Sequence, residues 1–450
     1  MPIKFTHLKP EYAKYSNTII QAALKAADPY ISVYSSIKLE KNRLEICGQC
    51  FDMQKIDRIL VVGMGKAVGA MAAAVSDRLG DAIHSGVIVA KHDISQDKIS
   101  PRITIVYGDH PIPSNRSIAS ADAIIDLLKD TTDKDLIICL ISGGGSALVA
   151  KPINGISIND LQQLTDALLK SGARIQEVNT IRKHIDAIKG GGLARITGNA
   201  AMVTLIVSDV LGDDLSMIAS GPTCGDETTF KEALDILGKY GLIEKAPRTI
   251  LNTIDAGILG KIEETLKPGD KLLGAKHNHI VASLKTSVQE AKNIAEELGF
   301  EAQILSIHLV GEAREIGHVA GSILRSMAET DLILQKPAIM IAGGESTVTI
   351  KGDGMGGRNQ EIAFGAMQEL TGCEDCALIA LATDGEDGPT DAAGAYVTGA
   401  TWDLAAELGL DARQFGSRND TYSFFRSIDH LVMTSPTGTN VNDLLFLIAF

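Results

Sequence analysis

The chain has 450 residues, 45% hydrophobic and 22% charged, with a formal net charge of −14. That length exceeds what one core fills, so two domains are expected. The acidic balance excludes nucleic acid as a partner, because no basic stripe is available to neutralise phosphates. No apolar run approaches the roughly 20 residues that a membrane helix needs, which argues against a membrane protein.

The first residues, MPIKFTHLKPEYAKY, carry no apolar leader, and cysteines without a leader point to a reducing, cytoplasmic setting. Helical periodicity runs from Glu11 to Ala27 and stops at Asp28-Pro29. A short strand is expected from Arg43 to Cys47 and an apolar one from Ile59 to Val62. The latter runs into GMGKAVGAM and a helix reaching Leu79. The GxGxxxG spacing departs from the dinucleotide pattern, and no acidic residue closes a following strand. Lys66 in this loop would meet the positive end of the helix dipole, an arrangement that calls for a nearby anion; the alternative is an ordinary exposed lysine.

Ser114, after the loop GDHPIPS, is expected to cap a helix reaching Lys129. The buried strand Leu136 to Ile141 runs into Ser142-Gly143-Gly144-Gly145-Ser146. Three glycines there let the backbone approach a ligand, and N–H groups and hydroxyls can hold phosphate oxygens; the alternative is a tight strand-to-helix turn. Arg182-Lys183-His184 and Lys189 read as cations on a solvated helix end. A strand from Met202 to Val207 leads into Ser208-Asp209.

From about Lys267 the strand and helix pattern restarts, which divides the chain into 1–265 and 266–450. Strands from Ala338 to Ala342 and from Thr347 to Ile350 flank a GGES turn that carries Glu345. Gly352, Gly354, Gly356 and Gly357 then deliver Arg358 to the first turn of a helix. Backbone donors, a guanidinium and a helix N-terminus together suit a carboxylate or a phosphate. The strand from Ala377 to Ala382 ends in TDGEDGPTDAAGA, which crowds Asp384, Glu386, Asp387 and Asp391. Carboxylates crowd at low dielectric only with cations or raised pKa values, which suggests Mg²⁺ or a proton acceptor, although Asp-Gly is also ordinary turn chemistry. The pairs Cys47/Cys50 and Cys373/Cys376 lack the surroundings of a zinc knuckle or a redox motif and read as incidental.

Apolar strands alternating with helices predict parallel α/β sheets, which bind ligands at the carboxyl ends of their strands. The glycine clusters fall at those ends in both halves, so an enzyme with its site between two domains is expected.

Five segments, ISGGGSAL, IRKHIDAIKGGGLA, IAGGESTVTIKGDGMGGRNQE, ATDGEDGPTDAAGA and SPTGTNVNDL, occur in this order and together resemble the glycerate 2-kinase family with a MOFRL C-terminal domain. The resemblance covers the chain from Val61 to Phe450. It implies two α/β domains, the first Rossmann-like, with the active site in the cleft between them. It also implies transfer of phosphate from ATP, with Mg²⁺, to the 2-hydroxyl of D-glycerate, giving 2-phosphoglycerate. The motif lysine and arginine of the family fall on Lys66 and Arg358. On that reading Asp384 is catalytic, the Ser142, Gly143, Gly144, Gly145, Ser146 loop and Glu345 serve the nucleotide, and Asp209 and Asp391 serve the metal. A homodimer is compatible with the sequence. Members of the family have also been called hydroxypyruvate reductases, which supplies an NAD(P)H-dependent alternative. Ser346 stands where the family usually has proline, Glu386 where threonine is frequent, and Ser435 where glycine is frequent.

Overall fold

The computed structural model describes residues 3–92, 94–153 and 155–450. They form two compact units, one of Pro29–Ser208 with Asp213–Val281, the other of Met1–Asp28, Asp209–Gly212 and Ala282–Phe450. This grouping departs from the expected 1–265 and 266–450 at both ends. The opening helix Pro10–Ala26 shares its core with the C-terminal residues, where Ile19, Ile20 and Ala23 join Val288, Ala291 and Ala295 of the helix Leu284–Glu297. Residues 276–281 stay with the first unit because they form the last strand of its sheet. No helix among the described residues is long and apolar enough to cross a membrane.

The first unit starts with an antiparallel meander, β1 (Ile37–Glu40), β2 (Arg43–Ile46) and β3 (Gln49–Asp52). Its main sheet contains β4 (Arg58–Met64), β5 (Ile83–Ala90), β6 (Ile103–Tyr107), β7 (Asp135–Ile141), β8 (Ala201–Val207) and β9 (Lys276–Ala282), in the order β6-β5-β4-β7-β8-β9. The ladders from β6 through β8 are parallel. This is the Rossmann order, in which the chain moves outward in one direction from β4 and in the other from β7. The amino ends of the two central strands are pinned together. Arg58 donates from Nε and Nη2 to the two carboxylate oxygens of Asp135 at 2.8 and 2.7 Å. That guanidinium holds the Asp135 carboxyl below its ordinary range. Between strands, Ser114 caps the helix Asn115–Leu128 as expected, accepting from the N–H of Arg116.

The second unit holds β10 (Glu301–Leu309), β11 (Ala338–Gly344), β12 (Cys376–Ala382), β13 (Gly394–Thr398), β14 (Leu431–Val432) and β15 (Asp443–Ala449), in the order β10-β11-β15-β12-β13-β14. The sheet is mixed. β10 and β11 are parallel, while β15 runs antiparallel to both of its neighbours. Alternating residues explain the continuous apolar runs. Leu378, Ala380, Leu445 and Leu447 pack with Ala363, Ala366 and Met367 of the helix Arg358–Glu369. Ile379, Leu381, Phe446 and Ile448 pack on the opposite face with Ile20, Val288 and Ala291. A sheet buried on both faces needs apolar side chains at every position, so its sequence loses the polar alternation of a half-exposed strand. The strand expected from Thr347 to Ile350 is absent. Thr347 forms only an isolated bridge to Glu312, and Thr349 and Ile350 are exposed.

Candidate active site

In the first unit, the candidate site groups gather where the order of the sheet reverses. β4 ends at Met64 and β7 at Ile141, and the loops that follow are bonded to each other. Ser142 N–H donates to Met64 O at 3.0 Å, Lys66 N–H donates to Gly143 O at 2.9 Å, and Ala67 N–H donates to Ser142 Oγ at 3.0 Å. Gly144 adopts φ +84°, and a Cβ there would lie 3.1 Å from His110 Cδ2 and 3.4 Å from Lys66 Cγ. The position therefore requires glycine both for its backbone and for the approach of two side chains. Lys66, His110 and Gly144, from the loops after β4, β6 and β7, thus meet at one point. Lys66 is exposed, and its ammonium has no carboxylate partner among the described residues. Burial, then Lys66 and Lys91, pull the His110 ring below its ordinary pKa, so it is neutral at neutral pH.

Ser146 Oγ lies 2.9 Å from Ser220 Oγ, which in turn donates to Asn179 Oδ1 at 3.2 Å. Ala219 and Ser220 both have positive φ, 49° and 61°, a strained backbone for residues with a Cβ and one that recurs at functional sites. Asp209 follows Ser208 at the carboxyl end of β8 and is half-buried.

The sequence missed what Lys183, His184 and Lys189 do. They are buried, not solvated. Lys183 pairs with Asp226 at 2.6 Å, Lys189 pairs with Asp186 at 2.7 Å, and His184 Nε2 lies 3.1 Å from Glu264. The partner of Lys183 is 43 residues away along the chain, so no local pattern could reveal it.

In the second unit, β15 runs antiparallel between β11 and β12. Its first residue, Asp443, therefore stands opposite both Gly344 and Ala382, at the carboxyl ends of the two flanking strands. Arg358 is the first residue of its helix, as expected. Its Nε lies 2.5 Å from Asp443 Oδ2, its Nη2 donates to Asp443 Oδ1 at 3.0 Å, and its Nη1 donates to Glu345 Oε1 at 3.1 Å. The fork thus rests on a buried carboxylate, and an exposed one, Glu345, covers part of its outer side. The helix N-terminus expected to receive an anionic ligand is already filled. Asp387 accepts from the N–H groups of Asn359 and Gln360 at 3.0 and 2.9 Å. Gly357 is required beside it, because a Cβ there would collide with the Asp387 carboxylate. The glycine loop is likewise engaged with the chain itself, since Gly354 N–H donates to Arg418 O at 2.9 Å and Met355 N–H to Asp420 Oδ1 at 3.2 Å.

A cavity of about 640 Å³ opens on this arrangement, lined among others by Glu345, Arg358, Asp384, Glu386, Asp387 and Asn440. Asp384 is half-exposed and accepts from Asn440 Nδ2 at 3.1 Å and from the N–H of Glu386 at 3.1 Å. Asp391 does not belong to this lining among the described residues; it is exposed and accepts from the Tyr422 hydroxyl at 2.6 Å. Ser346 Oγ, Asn359 Oδ1 and Asn442 Nδ2 are buried without a hydrogen-bond partner among the described residues. Of these, Ser346 lines the cavity, and a buried polar atom left open there marks a place where water or a ligand completes the structure. Ser435 has φ +65°, a backbone that glycine adopts more readily than serine.

Burial pushes the carboxyl of Asp387 up to about 6. Burial, helped by Asp387 and opposed by Arg358, pushes that of Asp443 up to about 7. Both folded values exceed the unfolded value near 3.9, so these groups contribute stability that is fully present below about pH 4 and is lost as pH rises through 6 and 7. Asp443→Asn removes one of them. The urea midpoint of the parent is expected to fall further between pH 5 and pH 8 than that of the variant, a difference on the order of a few kcal/mol in unfolding free energy. Equal slopes would show that Asp443 is ionised throughout that range.

The fold defines a class: an α/β protein with a Rossmann-ordered sheet and a second, mixed sheet, each with polar groups collected at strand ends. Comparison with known proteins narrows it. The model of a domain of unknown function, DUF4147, matches residues 15–255, and the MOFRL family model matches residues 338–443. A glycerate 2-kinase from Pyrococcus horikoshii is 41% identical over 96% of both chains. The crystal structure of a glycerate kinase from Thermotoga maritima superposes with a TM-score of 0.87 at 37% identity, covering 98% of this chain and 100% of its own. A relative from Agrobacterium vitis, 39% identical over 95% of this chain and 92% of its own, is provisionally named a hydroxypyruvate reductase. The chain belongs to the glycerate kinase family.

Proposed function

We propose that the protein transfers the γ-phosphoryl group of ATP to the 2-hydroxyl of D-glycerate, giving 2-phosphoglycerate and ADP. The observation that carries this reading is the group at the reversal point of the first sheet. An exposed lysine without a carboxylate partner lies against a glycine-rich loop between two central strands. Phosphoryl transfer asks a protein mainly for position and for charge complementary to the moving phosphate, and Lys66 with the Ser142–Ser146 loop offers both. Arg358 has N–H groups left over beyond those on Asp443 and Glu345, and these serve a second anionic group, the carboxylate of glycerate.

Asp384 serves as the acceptor of the 2-hydroxyl proton, held in place by Asn440. Oxygen donors of the Asp384 type also suit Mg²⁺, which takes one or two carboxylates and completes its shell with water and phosphate oxygens. Asp209 is assigned to that ion, which when bound would neutralise charge on the donor phosphates. Asp391 is the other carboxylate assigned to it, and would have to exchange its bond from the Tyr422 hydroxyl for the ion. A reductase reading needs a dinucleotide site. The loop after β4 lacks both the usual glycine spacing and an acidic residue ending β5, which reads Ile83–Ala90 and then Lys91.

The purified protein is expected to release ADP from ATP in the presence of D-glycerate and Mg²⁺, and to leave NADH unoxidised in the presence of hydroxypyruvate. NADH oxidation without ADP release would replace the kinase reading with the reductase one.

A further inference from the structure

Among the cations of the segment 182–189, Arg182 differs from its neighbours. Lys183, His184 and Lys189 each have an acidic partner. Arg182 is half-buried on the helix Ile175–His184, and no hydrogen bond or ion pair engages its guanidinium among the described residues. The nearest acid, Asp186, is committed elsewhere. It accepts from the N–H groups of Lys151 and Ile188 at 3.0 and 2.9 Å and from Lys189 Nζ at 2.7 Å. Burial accordingly pulls Arg182 below its ordinary pKa, with Asp186 only partly offsetting it. A half-buried guanidinium that no acid or carbonyl engages keeps its N–H groups available to a ligand.

The position of Arg182 says where that ligand lies. It lines a narrow crevice of about 10 Å³ with Pro113, Ser146 and Ala147, and with the paired Asp186 and Lys189. Pro113 belongs to the loop after β6 that carries His110, and Ser146 closes the loop after β7 that carries Gly144. The same two loops meet Lys66 through His110 and Gly144. Three loops and one helix therefore direct two cations without carboxylate partners, Lys66 and Arg182, to the carboxyl end of one sheet.

We propose that Arg182 binds an anionic oxygen of the reacting molecules, either the carboxylate of the acceptor or a phosphate of the donor, beside the Ser142–Ser146 loop. This rests on the kinase reading for the identity of the ligand and on the unpartnered guanidinium for the existence of the site. An arginine kept for a ligand behaves differently from one that holds the fold together. Arg182→Gln is expected to melt at or above the temperature of the parent when no ligand is present, because it removes a half-buried charge that no ion pair engages and breaks no hydrogen bond among the described residues. A structural arginine would lower that temperature.

The decisive comparison is thermal stabilisation and calorimetric binding of the parent, Arg182→Gln and Arg182→Lys by D-glycerate alone and by inorganic pyrophosphate alone. Arg182→Gln is expected to bind one of them at least about tenfold more weakly, with Arg182→Lys recovering part of the loss. Loss confined to D-glycerate assigns the carboxylate, and loss confined to pyrophosphate assigns the phosphate. Equal binding by parent and Arg182→Gln, a parent that binds neither anion, or a lowered melting temperature with binding intact overturns the proposal. Turnover of D-glycerate by the parent is a separate readout. Its absence sinks the kinase reading, while the pyrophosphate comparison still decides the role of Arg182.

Discussion

Arg358→Ala is expected to lower kcat/KM for D-glycerate by roughly 10²–10³-fold, the loss that follows removal of one preorganised donor from a transition-state site. Three features of its surroundings support an effect of this size. Its fork is fixed on the buried Asp443, so little freedom has to be lost when a ligand arrives. Its other carboxylate, Glu345, is exposed and can swing away into water. Its backbone opens a helix whose N-terminus is already capped by Asp387, so the side chain can be removed without unravelling that turn. The Asp443 carboxyl, pushed up to about 7, takes a proton near neutral pH once its cation is gone, which limits the structural penalty. Arg358→Lys keeps the charge and loses the fork, so it is expected to recover only part of the rate. A variant that folds by circular dichroism and turns over within about threefold of the parent would remove Arg358 from the site.

Lys66→Ala is expected to give a loss of similar size, roughly 10²–10³-fold in kcat, with a different structural signature. The side chain is exposed and has no carboxylate partner among the described residues, so its removal is expected to change stability by less than about 0.5 kcal/mol. Its backbone N–H remains on Gly143 O in the variant, which preserves the junction between the loops. An enzyme as stable as the parent and nearly inactive identifies a charge that acts on the substrate. If the residue instead only filled space beside Gly144 and His110, Lys66→Met would restore activity, and the account predicts that it does not.

The parts of this account that were legible in the sequence are those in which cause and effect lie close along the chain. Ser114 announces its helix because a cap bonds to an N–H two residues away. Arg358 follows Gly357 directly into a helix, and the apolar runs of β7 and β12 state that both of their faces are buried. What stayed hidden depends on distant partners. Asp443 lies 85 residues beyond Arg358, and only the antiparallel placement of β15 between β11 and β12 brings the two together. Asp387 looks like a turn residue in the sequence because the N–H it caps, that of Asn359, lies 28 residues before it. Thr347 to Ile350 has strand-forming residues but no neighbouring strand to pair with, so propensity alone misled there. Lys183 and Lys189 have the composition of a solvated helix end, and only the fold supplies the carboxylates that allow their burial.

The first measurement to make is an assay with ATP, Mg²⁺ and D-glycerate in which the product is read through enolase, so that only 2-phosphoglycerate gives a signal. The account predicts a signal that requires both ATP and D-glycerate and that disappears with L-glycerate. ADP release without the enolase signal would place the phosphate on another oxygen, and neither ADP nor signal would contradict phosphoryl transfer to glycerate altogether.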